Sequence, residues 1–125
     1  MARVRVGLGA VNVVTFYGLR SCDTCRKASK ALKDHDVTVI DVRTDGVAED
    51  VLTEWIAQFG ADALINRRSN TWRGMSGAVR ASAGTPEGAV ALIRANPALM
   101  KRPVIVVNGD VHIGWGPDVR EELGV

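Results

Sequence analysis

The chain is poor in the residues that build staples, breaks and membrane anchors. Only two cysteines stand among its 125 residues, so a disulfide framework is excluded, and a domain of this length buries enough apolar surface to fold without one. Four prolines and thirteen glycines are too few for a low-complexity linker. No run approaches the roughly 20 apolar residues of a membrane helix, so no membrane partner is expected. His35 and His112 lie far apart in the chain, which leaves the cysteines without a second ligand pair for zinc, and no metal site is expected. Blocks of one charge are also lacking. Twelve arginines and four lysines are spread along the chain and exceed the acids by a net +2, a balance that gives no reason to expect nucleic acid.

What is present is an ordinary globular composition, 46% hydrophobic and 24% charged, sized for one domain. The first residues, M-A-R-V-R-V-G-L-G-A-V-N, carry two arginines and an apolar run but no small-residue cleavage site before the cysteines. Cytoplasmic residence is therefore expected, with residues 1–12 as an N-terminal extension. In a reducing compartment a close cysteine pair points to redox chemistry or metal binding more than to a structural disulfide. A monomer is the default expectation.

The hydrophobic pattern orders the rest. V-N-V-V-T-F-Y from Val11 to Tyr17 reads as a buried strand ended by Gly18. Cys25, Ala28 and Leu32 recur at helical spacing between Cys22 and His35, and V-T-V-I-D-V from Val37 to Val42 reads as a second strand. A strand, helix, strand opening implies a parallel, right-handed crossover. Val51, Leu52, Trp55, Ile56 and Phe59 form a helical stripe stopped at Gly60, and Ala61–Ile65 suits a short helix. The polar segment 66–74 reads as a connection. Thr85-Pro86-Glu87 supplies an N-cap, a first-turn proline and a first-turn acid for another helix. Pro103 then opens the strand Val104–Val107, and Asn108-Gly109 turns the chain back through Val111-His112-Ile113. A final helix is expected over 117–123. In this alternation His112 should point to solvent. The order β-α-β, helices, β-β-α is an α/β fold of thioredoxin-like type over residues 13–125, with a helical insertion at about 47–101 between the second and third strands.

The chemistry concentrates in S-C-D-T-C-R, residues 21–26. A cysteine at the first turn of a helix meets unpaired backbone N–H groups and the positive end of the helix dipole, which favour its thiolate. Cys22 is so placed. Cys25 lies one turn further on the same face, where it can resolve a mixed disulfide formed on Cys22. Arg20 and Arg26 add positive potential, and Asp23 opposes them. Arg102 precedes Pro103 at the start of the third strand, which in a thioredoxin-like fold faces the cysteine helix. The Arg102-Pro103 bond is a candidate cis bond, and a guanidinium there would hold an anion beside Cys22.

Three blocks in order, T-F-Y-G-L-R-S-C-D-T-C-R-K-A-S-K-A-L, L-I-N-R-R-S-N-T-W-R and L-M-K-R-P-V-I-V-V-N-G, followed by a late G-W, resemble the arsenate reductase and Spx family of thioredoxin-fold proteins. The resemblance is nearest to the YffB-like branch and implies a glutathione-dependent thiol reductase. It makes Cys22 the nucleophile, Arg102 and Arg68 the anion-binding residues, and glutathione a co-substrate, with no bound cofactor. Where the arsenate reductases carry an arginine early in the middle block this chain has Asn66, and its last hairpin reads V-H-I-G-W-G. Both departures count against arsenate as substrate. The C-x-x-C spacing also resembles Spx, which implies an alternative: a redox-sensing regulator that binds the RNA polymerase alpha subunit.

Overall fold

The computed structural model describes residues 12–125; the extension expected before the first strand falls, up to residue 11, outside them. The chain divides into two compact units. One runs up to Asp41 and resumes at Arg102–Val125, and the other is Val42–Lys101.

The first unit is built on β1 (Val13–Gly18), α1 (Asp23–Ala31), β2 (Asp36–Asp41), β3 (Val104–Val107), β4 (Asp110–Ile113) and α7 (Pro117–Leu123). The strands form one sheet in the order β2-β1-β3-β4. β1 pairs parallel with β2, as a helical crossover requires, and antiparallel with β3. The β3–β4 hairpin turns on Asn108 and Gly109, both at positive φ, the conformation that an Asn-Gly pair adopts most readily. The Asn108 amide also donates to the side-chain oxygen of the buried Asn12 at 2.8 Å.

One face of this sheet carries the core. Phe16 and Ile105 are register partners and share a face, and they pack with Val14, Val107, Cys25, Ala28, Leu32 and Leu123. Cys25 and Ala28 of α1 and Leu32 at its C-cap, spaced by three and four residues, are thus the ones that meet the sheet. Each such fully buried large side chain contributes about 1.5–3 kcal/mol relative to exposure.

His112 departs from expectation. It is only 7% exposed, and its Nδ1 lies 2.9 Å from a Glu122 carboxylate oxygen. The alternation Val111-His112-Ile113 suggested apolar residues inward, but His112 is in register with the buried Ile105. It therefore faces the core side, and Glu122 on α7 satisfies it there.

The second unit holds α2 (Glu49–Phe59), α3 (Ala61–Leu64), α4 (Asn70–Arg73), α5 (Gly77–Ala81) and α6 (Pro86–Ala95). α2 packs on α6, and Leu52, Trp55, Ile56, Val90 and Ile93 are buried. Thr85 caps α6 by accepting from the Gly88 N–H at 3.0 Å. Two short helices occupy stretches without helical periodicity. α4 lies inside the segment expected as a loop and starts where the Ser69 hydroxyl accepts from Trp72 N–H, while Ser76 caps α5 in the same way. The unit closes on an isolated bridge between Ile65 and Met100.

A four-stranded sheet of this topology, with α1 and α7 contributing to the core on one face and a helical segment inserted between β2 and β3, is the thioredoxin-like arrangement.

Candidate active site

Cys22 is the N-cap of α1, with extended backbone at φ −89° and ψ 119°. It sits there because the chain turns sharply after β1, where the Cys22 N–H donates to the Leu19 carbonyl at 3.2 Å. The helix then starts at once: the Cys22 carbonyl accepts from Arg26 N–H at 3.0 Å. The thiol is half-buried, and Cys25, one turn on, is 3% exposed.

The pKa values of the two thiols are shifted in opposite directions. Burial raises the Cys22 pKa, but the Cys25 N–H, the Cys25 thiol and the Arg102 guanidinium all hydrogen-bond its sulfur, and with the Arg102 charge they carry it below the ordinary thiol value. Burial pushes Cys25 up to about 11, and the neighbouring Cys22 adds to this against a hydrogen bond from Leu19 N–H. Cys22 is therefore the more readily ionised of the two, and Cys25 keeps its proton and donates it in a hydrogen bond to the Cys22 sulfur. Both cysteines are free thiols.

Arg102 reaches Cys22 because β3 begins beside the helix start. The Arg102–Pro103 peptide bond is cis and Pro103 is buried. The Pro103 carbonyl accepts from the Gly114 N–H at 2.7 Å, which ties the start of β3 to the end of β4. Trp115 and Cys22 both pack, partly buried, against the core cluster. Arg26 contributes less than its position suggested. Arg26 pairs with Asp23, both are exposed, and that pairing holds the Asp23 carboxyl low.

The structure thus brings together Cys22, Cys25, Arg102 and Pro103. Arg68 belongs to the second unit, exposed on a turn where its N–H donates to the Asn66 side-chain oxygen at 3.1 Å. Its neighbour Arg67 pairs with Asp62 and lies 5.5 Å from the centre of the Trp72 ring. His35 accepts the Asn12 N–H at 3.2 Å, a structural contact.

Gly18 is a residue of the site that sequence reasoning read only as a strand end. A Cβ there would stand 2.8 Å from Phe16 Cε1 and 3.0 Å from Cys25 Sγ. No side chain fits, and the missing one lets Cys25 lie against the end of β1. The sequence signal was the Y-G step four residues before Cys22.

Residues 17–123 match the ArsC family. The chain belongs to that family. This ArsC-family chain is 40% identical over 105 residues to an uncharacterized protein of Haemophilus influenzae, covering 82% of this chain and 91% of the other. It is 27% identical over 110 residues to the global transcriptional regulator Spx of Staphylococcus aureus, covering 85% and 82%. Among solved structures it superposes on the YffB protein with a TM-score of 0.78 at 29% identity, over 86% of this chain and 96% of that one. Membership in the family supports thiol oxidoreductase chemistry for a site of this composition.

Proposed function

We propose that the protein is a glutathione-dependent thiol reductase of the cytoplasm that acts on disulfides, above all on mixed disulfides with glutathione. The observation that carries this reading is the pair of opposed thiols: Cys22 held below the ordinary thiol pKa by donors from Cys25 and Arg102, beside a Cys25 held near 11. The Cys22 thiolate attacks one sulfur of the substrate disulfide. A Cys22 mixed disulfide forms, the substrate S–S bond breaks, and the leaving thiolate takes a proton from solvent. Cys25 gives up its proton and attacks the Cys22 sulfur, releasing the second thiol and leaving a Cys22–Cys25 disulfide. Two glutathione thiols supply two electrons to reopen it and become glutathione disulfide.

Arg102 assists in two ways in this reading. It stabilises the attacking thiolate, and its guanidinium fork suits a carboxylate of glutathione. Arg68 is assigned the second anion contact on the strength of its place in the family motif. Arsenate is the poorer substrate, since Asn66 and the V-H-I-G-W-G hairpin stand where arsenate reductases hold arginines. A second reading, a C-x-x-C redox switch on a regulator that binds the RNA polymerase alpha subunit, is favoured by the likeness to Spx.

The deciding experiment assays reduction of a glutathionylated peptide and of arsenate by wild type and Cys22→Ser, beside a pull-down with the alpha subunit. Turnover of the peptide lost in Cys22→Ser supports the reductase. Turnover that survives the substitution overturns it, and tight polymerase binding without turnover favours the regulator.

A further inference from the structure

An apolar opening in the first unit lies to one side of the cysteines, between α1 and β2, and the thiol chemistry does not use it. Phe16 on β1 and Val39 on β2 are register partners on the face that α1 covers. Yet Phe16 is 2% exposed and Val39 is 52% exposed. α1 shields the central strand and leaves the β2 side of the same face open. The result is a groove of about 440 Å³, within the size range of small-ligand sites. Its floor is Phe16, Leu19, Val39 and the buried wall of Cys25.

The rim is cationic. Lys30, Lys33 and Arg20 line it, and none has an acidic partner among the described residues. Arg26 also lines it but is held by Asp23. Asp41 is the one acid of the lining, in register with Gly18 at the end of β1 where the chain turns toward α1. The crossover helix runs back against the strands, so Lys30 and Lys33 stand at the opposite end from Asp41. An apolar trough thus ends in two ammonium groups at one end, and at the other in Asp41 together with Arg20.

We propose that this groove binds an alkyl-chain carboxylate, with its carboxylate on Lys30 and Lys33 and its chain on Val39, Phe16 and Leu19. A neutral apolar ligand would leave the cations unused. A nucleotide would find no exposed ring to stack on, because the only aromatic of the floor is buried. The site goes beyond the reductase reading and stands or falls separately from it.

The test is a titration of the full chain with sodium decanoate below its micellar range, followed by amide chemical shifts. Saturable shifts at Leu19, Ser29 and Val39 with one equivalent bound are expected. The Lys30→Glu/Lys33→Glu protein should bind about tenfold or more weakly, and Val39→Asp should abolish binding while the remaining spectrum stays native. The lysines are exposed, so the double variant tests the site even if Val39→Asp perturbs β2. Absence of saturable binding to wild type, unchanged affinity in the double variant, or equal affinity for 1-decanol would each overturn the proposal.

Discussion

Cys22 and Cys25 are the same side chain one helical turn apart, and their surroundings alone divide their chemistry. The donors on Cys22 include Arg102, so its ionisation should depend on that residue. A pKa lowered in the fold means that thiolate is already present at a pH where an ordinary thiol, near 8.5, is still protonated. Alkylation of Cys22 by iodoacetamide should therefore rise as pH approaches the lowered pKa and flatten above it, with a midpoint below that of free cysteine. In Arg102→Ala the midpoint should move up. A midpoint unchanged by that substitution would remove Arg102 from the site. Gly18→Ala is the second residue-scale prediction. Its Cβ would stand at 2.8–3.0 Å from Phe16 and Cys25, and overpacking of this kind costs about 1–3 kcal/mol. The urea midpoint should fall, and the Cys22 alkylation profile should shift because Cys25 is displaced.

At the scale of elements, α7 is held to the sheet by Leu123 in the core and by the His112–Glu122 contact. Truncating Glu122 to Ala leaves a buried ring nitrogen without that acceptor, at a cost of about 1–2 kcal/mol. Hydrogen exchange should show the α7 amides opening faster, while Glu122→Gln, which keeps an acceptor oxygen, should lose less. Thr85→Ala should cost α6 about 1 kcal/mol through its cap, read as a lower thermal midpoint. These elements also show what the sequence could and could not tell. β1, α1 and the β3–β4 hairpin were legible because periodicity and Asn-Gly chemistry agree with the tertiary structure. α4 and α5 were not: helices of four or five residues are too short for a repeating stripe, and only the serines at their caps marked them. His112 was misread because a strand of four residues has two faces, and the register with β3, a long-range property, decides which is inside.

For the whole molecule, the cysteines, Arg102 and Pro103 are distant in the chain and become neighbours because β3 returns beside β1, which the thioredoxin-like order of elements anticipated. Gly18 read only as a strand end because its role is a distance to Cys25, and the Y-G step that marks it does not by itself say what it approaches. No helix among the described residues is long and apolar enough to cross a membrane, and the family spans almost all of the described chain. The central claim, that Cys22 is the nucleophile and Cys25 its resolving partner, is tested most directly by intact-mass analysis after exposure to glutathione disulfide. With two cysteines in the chain the reading is unambiguous. Cys25→Ser should trap one glutathione on Cys22, wild type should pass on to an internal disulfide, and Cys22→Ser should remain unmodified. Equal glutathionylation of the two single-cysteine variants, or an adduct on Cys25 alone, would contradict the account.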